Sequence, residues 1–224
     1  MQAMQESRNV FYQYPVSAKE KPMYCAFKRI ADLLFGLVGL PIFAVIYIAV
    51  AVLIKAEDGG PVLYKGERIG HDGKPFAMYK FRTMRPNADQ MERCLTPEEI
   101  AEYKKEFKLP KDRRITRVGN WLRKASLDEL PQILNVLKND MSFIGPRPIM
   151  AEEVSMYGND RELFLSIKPG ITGYWQAYAR NDVGYTDGRR QKMELYYIHN
   201  RSVLLDIKIL LATVKRVLLG KGAM

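Results

Sequence analysis

The chain is organised around the stretch LLFGLVGLPIFAVIYIAVAVLI, which occupies residues 33–54. It contains no charged residue and matches the roughly 20 apolar residues that a membrane span requires. A buried core helix is the alternative interpretation, but a run this long and apolar on every side is unusual within a chain of 224 residues. The sequence therefore predicts a membrane-inserted helix at residues 23–55, preceded by an N-terminal tail at residues 1–22.

Pro41 interrupts this run, because proline removes a helical N–H donor and clashes with the carbonyl four residues earlier. A bend is therefore expected near residue 41. Basic residues flank both ends, with Lys28 and Arg29 before the run and Lys55 after it, whereas a simple span usually has them mainly on one side. A re-entrant helical hairpin that enters and leaves the membrane from the cytosolic face therefore competes with a straight span.

Composition limits the chemistry that the chain can perform. Lys and Arg number 35 against 25 Asp and Glu, a net charge of +10 that favours an anionic partner: nucleic acid, an anionic membrane surface or a nucleotide. Cys25 and Cys94 form no CxxC motif, which argues against a disulfide framework or a zinc site. Because His71 and His199 are the only histidines, catalysis would fall to carboxylates and cations.

A pair of adjacent acids, Asp128 and Glu129, is the strongest candidate for such chemistry. It begins a predicted helix that continues to about residue 137 and stops at Asn139-Asp140. A purely structural explanation exists, because Ser126 and Glu129 have the spacing of a capping box and acids stabilise helix N-termini. Five basic residues precede the pair, either as neutralising charges or as phosphate ligands: Arg113, Arg114, Arg117, Arg123 and Lys124.

Two further segments hold cations in restricted positions. Asp72-Gly73 separates two β-like runs and predicts a β-hairpin. Its second strand places Lys80 and Arg82 on one face, about 7 Å apart, which suits either a bound diphosphate or a solvated surface. Arg147 lies between two prolines, which restrict its backbone and suit an anion clamp, although such a segment is also a common connector.

The rest of the chain is predicted to be mostly helical. The hairpin strands are expected at residues 62–69 and 75–82, and helices at residues 97–109, 149–167, 189–198 and 203–219. The last helix has an apolar face broken by four charges, typical of a core or membrane-surface helix, with Gly220 as its C-cap. Gly173 indicates a close backbone approach, either to a ligand base or to lipid. The predicted fold class is mainly α with a small β-hairpin (α+β), in which residues 56–224 form a compact cytosolic domain.

Six stretches, in this order, together resemble the bacterial sugar transferases, specifically the monotopic polyprenol-phosphate phosphoglycosyl transferases. They are KRIAD at residues 28–32, YKFRTM at 79–84, SLDELPQ at 126–132, DMSFIGPRP at 140–148, KPGITGYWQ at 168–176 and LLDIKIL at 204–210. The resemblance covers nearly everything from residue 24 to residue 224. It implies that residues 56–224 are a catalytic domain with amphipathic membrane-surface helices.

The resemblance also implies a reaction and the residues that perform it. A sugar 1-phosphate would pass from a UDP-sugar to undecaprenyl (polyprenol) phosphate, as the first membrane step of exopolysaccharide, capsule or glycoconjugate synthesis. The implied nucleophile is Asp128, which would form a covalent aspartyl-phosphosugar, and Glu129 would bind Mg²⁺. The implied substrate contacts are Lys80, Arg82, Arg123 and Arg147, with Asp206 as a secondary candidate.

The implied location is the cytosolic face of the bacterial inner membrane, with membrane lipids as partners, no nucleic acid, and a homodimer left open. In many relatives a Ser-Pro pair breaks the re-entrant helix, whereas Leu40 precedes Pro41 here. The chain is expected to be the minimal catalytic unit of that family. Two alternatives remain: a basic membrane-peripheral scaffold or nucleic-acid-binding protein without catalysis, and a soluble Mg²⁺ phosphohydrolase.

Overall fold

The computed structural model describes residues 21–106, 109–180, 183–185 and 187–219. It begins with helix α1 (Pro22–Asp58), whose 37 residues continue through Pro41 as one helix of about 55 Å. The helix therefore extends the predicted range of residues 23–55 by one residue at its start and by three at its end. Nearly all of the predicted N-terminal tail lies outside the described residues.

One side of α1 packs on the protein and the other side is exposed. The buried positions recur at intervals of four or seven residues, which is the spacing of one helical stripe: Asp32, Gly36, Phe43, Val50 and Ile54. Only 17% of the most apolar 18-residue window is buried, and the helix is long and apolar enough to cross a membrane by length and composition. The interpretation of this segment as a buried core helix is therefore wrong.

Polar side chains fasten the beginning of α1 to the domain. Arg29 Nη1 donates to the carbonyl of Val136 at 2.7 Å, and Oδ1 of Asp32 accepts from the N–H of Phe143 at 3.0 Å. Arg29 and Asp32, beside the apolar run, thus bind the protein itself.

The end of α1 is fastened to the same domain. The carboxylate of Glu57 accepts a hydrogen bond of 2.7 Å from the N–H of Arg117, and Asp58 forms an ion pair with Arg82. Gly59, with a φ of 70°, ends the helix in the left-handed conformation that glycine adopts without strain. Both ends of this largely apolar helix are therefore held by one body.

The predicted hairpin is confirmed. Strand β1 (Leu63–Ile69) pairs antiparallel with β2 (Pro75–Phe81), with Leu63 opposite Phe81. In the turn, Asp72 and Gly73 have φ values of 56° and 73°, as a tight hairpin turn requires. The Asp-Gly signal therefore marks the turn correctly.

The remaining elements are short helices and one further pair of strands. In chain order they are α2 (Met91–Cys94), α3 (Pro97–Glu106), α4 (Arg117–Lys124), a 3₁₀ turn (Leu127–Gln132), α5 (Ile133–Leu137), β3 (Ser142–Ile144), a 3₁₀ segment (Ala151–Asp160), α6 (Arg161–Leu165), β4 (Gly170–Thr172), α7 (Tyr174–Ala179), α8 (Arg189–Asn200) and α9 (Val203–Leu218). The fold class is thus mainly α with small β elements, as predicted. The helix predicted at residues 149–167 is instead interrupted at Gly158, whose φ is 52°. Gly220 lies outside the described residues.

The parallel pairing of β3 with β4 was not predicted from the sequence. It brings two backbone segments so close that a Cβ on Gly173 would lie 2.1 Å from the carbonyl oxygen of Gly145. The close approach predicted at Gly173 is therefore to the protein's own backbone, and it fixes the segment before Arg147 against the segment before α7.

A hydrophobic cluster joins α1 to the hairpin and to the acidic turn. Its buried members include Phe43 of α1, Phe81 of β2, Leu122 of α4 and Ile133 of α5. Each such side chain contributes roughly 1.5–3 kcal/mol when it leaves water. Four separate elements are thereby held around the turn that carries Asp128.

Candidate active site

The acidic pair lies in the 3₁₀ turn that leads into α5. Ser126 precedes it with a φ of 55°, and its side chain makes no capping hydrogen bond. The carboxylate of Glu129 accepts a hydrogen bond from Lys80 instead of reaching back to Ser126. The capping-box explanation for Asp128 and Glu129 is therefore wrong. Both carboxylates lie in the protein interior, where they contact Lys80.

Lys80 of β2 binds both carboxylates. Its Nζ lies 3.0 Å from Oε1 of Glu129 and 3.9 Å from Oδ2 of Asp128. The hairpin thus delivers one of its two predicted cations directly to the acidic pair, because β2 packs along the 3₁₀ turn.

A second cation reaches the pair from a distant part of the chain. Arg180 follows α7, and its Nη2 lies 3.6 Å from Oε1 of Glu129. Arg180 was not predicted as a site residue from the sequence. The signal that was available is its position four residues after Gln176, at the end of a helix that immediately follows the tight glycine contact.

Arg123 approaches the pair from α4. Thr116 is the N-cap of this helix, and its side chain accepts from the N–H of Gly119 at 2.9 Å. A Cβ at Gly119 would lie 2.0 Å from the carbonyl oxygen of Thr83, so α4 lies directly against the chain that leaves β2. In that position Arg123 Nε donates to Oγ1 of Thr83 at 3.0 Å, and its charge acts on Asp128.

Arg147 stands on the other side of the pair. Its N–H donates to Oε1 of Glu194 at 3.2 Å, and its guanidinium lies 6.0 Å from the Trp175 ring. Its charge lowers the pKa of Glu129. With Lys80 and Arg180, Arg147 completes the set of cations that act on that carboxylate.

The surroundings shift the pKa values of the two acids in opposite directions. Burial tends to raise the pKa of Glu129, but Lys80, Arg180 and Arg147 outweigh it and lower that pKa, so Glu129 is ionised at neutral pH. Burial raises the pKa of Asp128, and the negative charge of Glu129 adds to this effect. A buried carboxylate that is poor in solvation and close to cations is a typical candidate for a reactive group.

Arg82, the second cation of the hairpin, is not brought to the pair. Its guanidinium forms a two-pronged ion pair with Asp58 and also donates to the carbonyls of Pro61 and Met84, the latter at 3.0 Å. The physical reason is that α1 ends beside the end of β2, so Asp58 of α1 pairs with the guanidinium of Arg82. Its predicted role as a substrate contact therefore has no support from this geometry.

Asp206, the secondary candidate, joins three helices. Its Oδ2 accepts from Lys28 Nζ at 2.7 Å and from the Tyr24 hydroxyl at 2.8 Å, and its Oδ1 accepts from the Tyr197 hydroxyl at 2.8 Å. These contacts connect α9 to the start of α1 and to α8. In this position Asp206 acts as a structural joint.

Two cavities adjoin the acidic pair. A small one of about 10 Å³ is lined by polar side chains that include Lys80, Glu129 and Gln176, and a space of this size holds about one water molecule. A large one of about 720 Å³ extends from Glu129 between α1 and α9. Glu129 of the pair thus lines a space large enough for a small organic ligand.

Comparison with known proteins places this arrangement in a family. The family profile described as bacterial sugar transferase matches residues 23–220, which is nearly the whole chain. The chain belongs to the bacterial sugar transferase family. The matched range of this sugar transferase contains all of α1 except Pro22, all of α9 and every candidate site residue named above.

Curated relatives of this sugar transferase differ in length. The exopolysaccharide production protein ExoY of Sinorhizobium fredii is 39% identical over 199 residues, which cover 88% of this chain and 87% of that protein. The undecaprenyl-phosphate galactose phosphotransferase of Salmonella typhimurium is 47% identical over 170 residues, 75% of this chain and 35% of that protein. A UDP-N-acetylgalactosamine-undecaprenyl-phosphate N-acetylgalactosaminephosphotransferase of Aeromonas hydrophila is 37% identical over 207 residues, 90% of this chain and 46% of that protein. The chain thus spans most of one relative and less than half of the other two.

Proposed function

We propose that this sugar transferase moves a sugar 1-phosphate from a UDP-sugar to undecaprenyl phosphate. The names of the Salmonella and Aeromonas relatives support the lipid carrier and the sugar donor. The observation that carries the proposal is a pair of buried acids surrounded by Lys80, Arg123, Arg147 and Arg180 at the end of a large apolar cavity. Such a site can accept two anionic substrates, because the cations offset the charge of both.

In the first step, a carboxylate oxygen of Asp128 attacks the phosphorus that carries the sugar. The bond from this phosphorus to the bridging oxygen breaks, the nucleoside monophosphate leaves with the electron pair, and an aspartyl-phosphosugar remains. Lys80 and Arg123, which act on Asp128, are placed to offset the charge of the diphosphate as the carboxylate approaches. Glu129 stays ionised throughout, since three cations hold its pKa low.

In the second step, an oxygen of the lipid phosphate attacks the same phosphorus. A new P–O–P linkage forms, the bond to Asp128 breaks, and the carboxylate is regenerated. Arg180 lies beside Glu129 and also lines the large cavity, so it is placed to hold the incoming phosphate. Lys80 and Arg123 therefore serve the donor, and Arg180 serves the acceptor.

Mg²⁺ is proposed as the cofactor, with Glu129 as its protein ligand. The donor set fits, because Mg²⁺ is commonly held by one or two carboxylates with the remaining positions filled by phosphate oxygens and water. Among the described residues there is no group of three or more His, Cys, Asp and Glu side chains that could hold a metal ion, so Glu129 and the substrate would share the ion. Bound there, Mg²⁺ would neutralise phosphate charge as a Lewis acid.

We further propose that α1 is re-entrant in the cytosolic leaflet of the bacterial inner membrane. Its exposed side is apolar, while Arg29 near its start and Asp58 at its end both bind the catalytic domain. A helix that crossed the bilayer would place these two ends on opposite sides. Labelling of a cysteine placed before α1 from the cytosolic side only would support this topology, and labelling from the periplasmic side only would contradict it.

The reaction is tested by incubating the full chain in detergent with labelled UDP-sugars and Mg²⁺, without lipid acceptor. Label should remain on the wild-type protein for the preferred sugar, and Asp128→Asn should abolish it while the protein stays in the membrane fraction. Asp72→Asn, in the exposed hairpin turn, is the matched control. A scaffold without catalysis would release no nucleotide from any UDP-sugar and would be indifferent to Asp128→Asn.

A further inference from the structure

Helices α1 and α9 diverge from a shared joint and leave a groove between them. The joint is the contact of Lys28 and Tyr24 with Asp206, near the start of both helices. Beyond it the two helices form facing walls of the 720 Å³ cavity, with Phe35 and Ile42 on α1 and Ile207 and Leu210 on α9. The exposed lining of the cavity is mostly apolar, so the groove favours an apolar occupant.

The groove opens toward the exposed apolar side of the protein. Phe35 and Ile42 both line the cavity and remain 62% and 63% exposed, and Leu210 opposite them is 40% exposed. Apolar side chains that stay exposed on two facing helices mark a site for lipid or another apolar partner. An apolar chain could therefore enter from the lipid phase without crossing a polar barrier.

The groove also has a cationic end. Lys124, Arg180 and Arg216 line the cavity together with Glu129 of the acidic pair. Arg216 lies ten positions after Asp206 on α9, which is about 15 Å along the helix. Its Nη1 contacts the carbonyl of Ala177, on the helix that directly precedes Arg180. Lys28 is paired with Asp206 at the joint, so the three other cations form the cationic end of the cavity, where Arg180 lies 3.6 Å from Glu129.

We propose that this groove binds the acceptor lipid, with the first isoprenoid units between α1 and α9 and the phosphate at Arg180, Arg216 and Lys124. This binding site rests on the proposed function. It specifies where the acceptor lies and makes α9 one of the helices that contact it. A single ligand with an apolar chain and an anionic head matches both parts of the cavity. Helix α9 is then a wall of the acceptor site as well as a surface helix.

The test uses a large side chain to fill the groove. Leu210→Trp should raise KM for undecaprenyl phosphate at least about 10-fold, because an occupied groove excludes the chain, while labelling of the protein by UDP-sugar continues. Leu211→Trp is the matched control, since Leu211 is the next residue of α9, is 64% exposed and does not line the cavity. Ile42→Trp, on the opposite wall, is the second variant if Leu210→Trp does not fold.

A short water-soluble isoprenyl phosphate separates chain recognition from a general defect. KM for this acceptor should change much less than KM for undecaprenyl phosphate in Leu210→Trp. Equal KM values for undecaprenyl phosphate in wild type, Leu210→Trp and Ile42→Trp would overturn the proposed site in the groove. Absence of label on the wild-type protein with UDP-sugar alone would instead contradict the covalent mechanism, so the two failures are distinguishable.

Discussion

The guanidinium of Arg180 lies 3.6 Å from Oε1 of Glu129, although the two residues belong to separate segments of the chain. The contact depends on the β3–β4 pairing, which places α7 behind the acidic turn. The position of a cation that lowers the pKa of Glu129 thus depends on a short sheet that the sequence pattern does not reveal. The consequences for catalysis can be measured.

Arg180→Ala should lower kcat/KM by about 10²-fold, since a preorganised cation would be lost from the phosphate site. Burial raises the pKa of Asp128 and the charge of Arg180 opposes this, so loss of Arg180 should raise that pKa further and move the acid limb of the pH–rate profile to higher pH, because the attacking carboxylate must be ionised. Arg180→Lys should restore part of both effects. Arg113→Ala, which removes an exposed arginine paired with Glu99, should change neither. A wild-type pH profile in Arg180→Ala would contradict this role.

Arg82→Met should lower the free energy of unfolding. It leaves Asp58 without its partner, at a cost of about 2 kcal/mol, below the usual range for a buried pair because Asp58 is partly exposed. The double variant Arg82→Met with Asp58→Leu should recover part of the loss. Denaturant unfolding in detergent measures both. If the folded single variant instead shows KM for the UDP-sugar raised more than about 10-fold, then Arg82 binds the donor as the family resemblance implies.

Glu194→Gln should flatten the pH dependence of folding. Burial raises the pKa of Glu194 to about 7, against the opposing charges of Arg190 and Arg147. The folded state therefore binds more protons than the unfolded state between about pH 4.5 and 7, and stability falls as pH rises through that window. The loss is on the order of 3 kcal/mol at pH 8 relative to pH 4.5.

The test measures the unfolding free energy of wild type and of Glu194→Gln as a function of pH and follows the difference between them. It should change across that pH window, whereas Glu67→Gln, on the exposed face of β1, should leave the wild-type slope intact. Parallel curves for wild type and Glu194→Gln would show that Glu194 titrates normally.

Gly173→Ala should destabilise the protein by about 3 kcal/mol, because its Cβ would overlap the carbonyl of Gly145 and neither backbone can move freely. Activity per folded molecule should fall as well, since Arg147 and Arg180 are positioned on either side of this contact. Gly66→Ala is the control, because there the nearest atoms belong to the ends of the Tyr64 and Arg68 side chains and not to the backbone. Similar melting temperatures for both variants would contradict the prediction.

The parts of the fold that were predictable are those encoded by neighbouring residues. Asp72 and Gly73 specify the turn between β1 and β2, and the apolar run at residues 33–54 specifies α1. The acidic pair was also identified from local sequence and from its resemblance to a family. The pairing of β3 with β4 was missed because three-residue strands carry little periodicity, and their register depends on a contact between distant glycines.

The site residues divide in the same way. Lys80 lies beside the acidic pair, as the alternation of side chains along β2 allows. Arg82 instead pairs with Asp58, and this contact depends on how α1 packs, which the sequence pattern does not show. Arg180 was missed because its distance to Glu129 is set by the tertiary fold. Sequence patterns indicate which charges are available, and packing decides which of them meet.

The joint between Lys28 and Asp206 has a consequence for biosynthesis. The two residues are separated by 178 positions, so at about 5–20 residues per second the ribosome needs roughly 10–35 s to supply the second after the first. Throughout that interval the nascent α1 has an apolar surface and no finished domain to pack against. Insertion of α1 into the bilayer during translation, before α9 is made and packs against it, would protect α1 from aggregation.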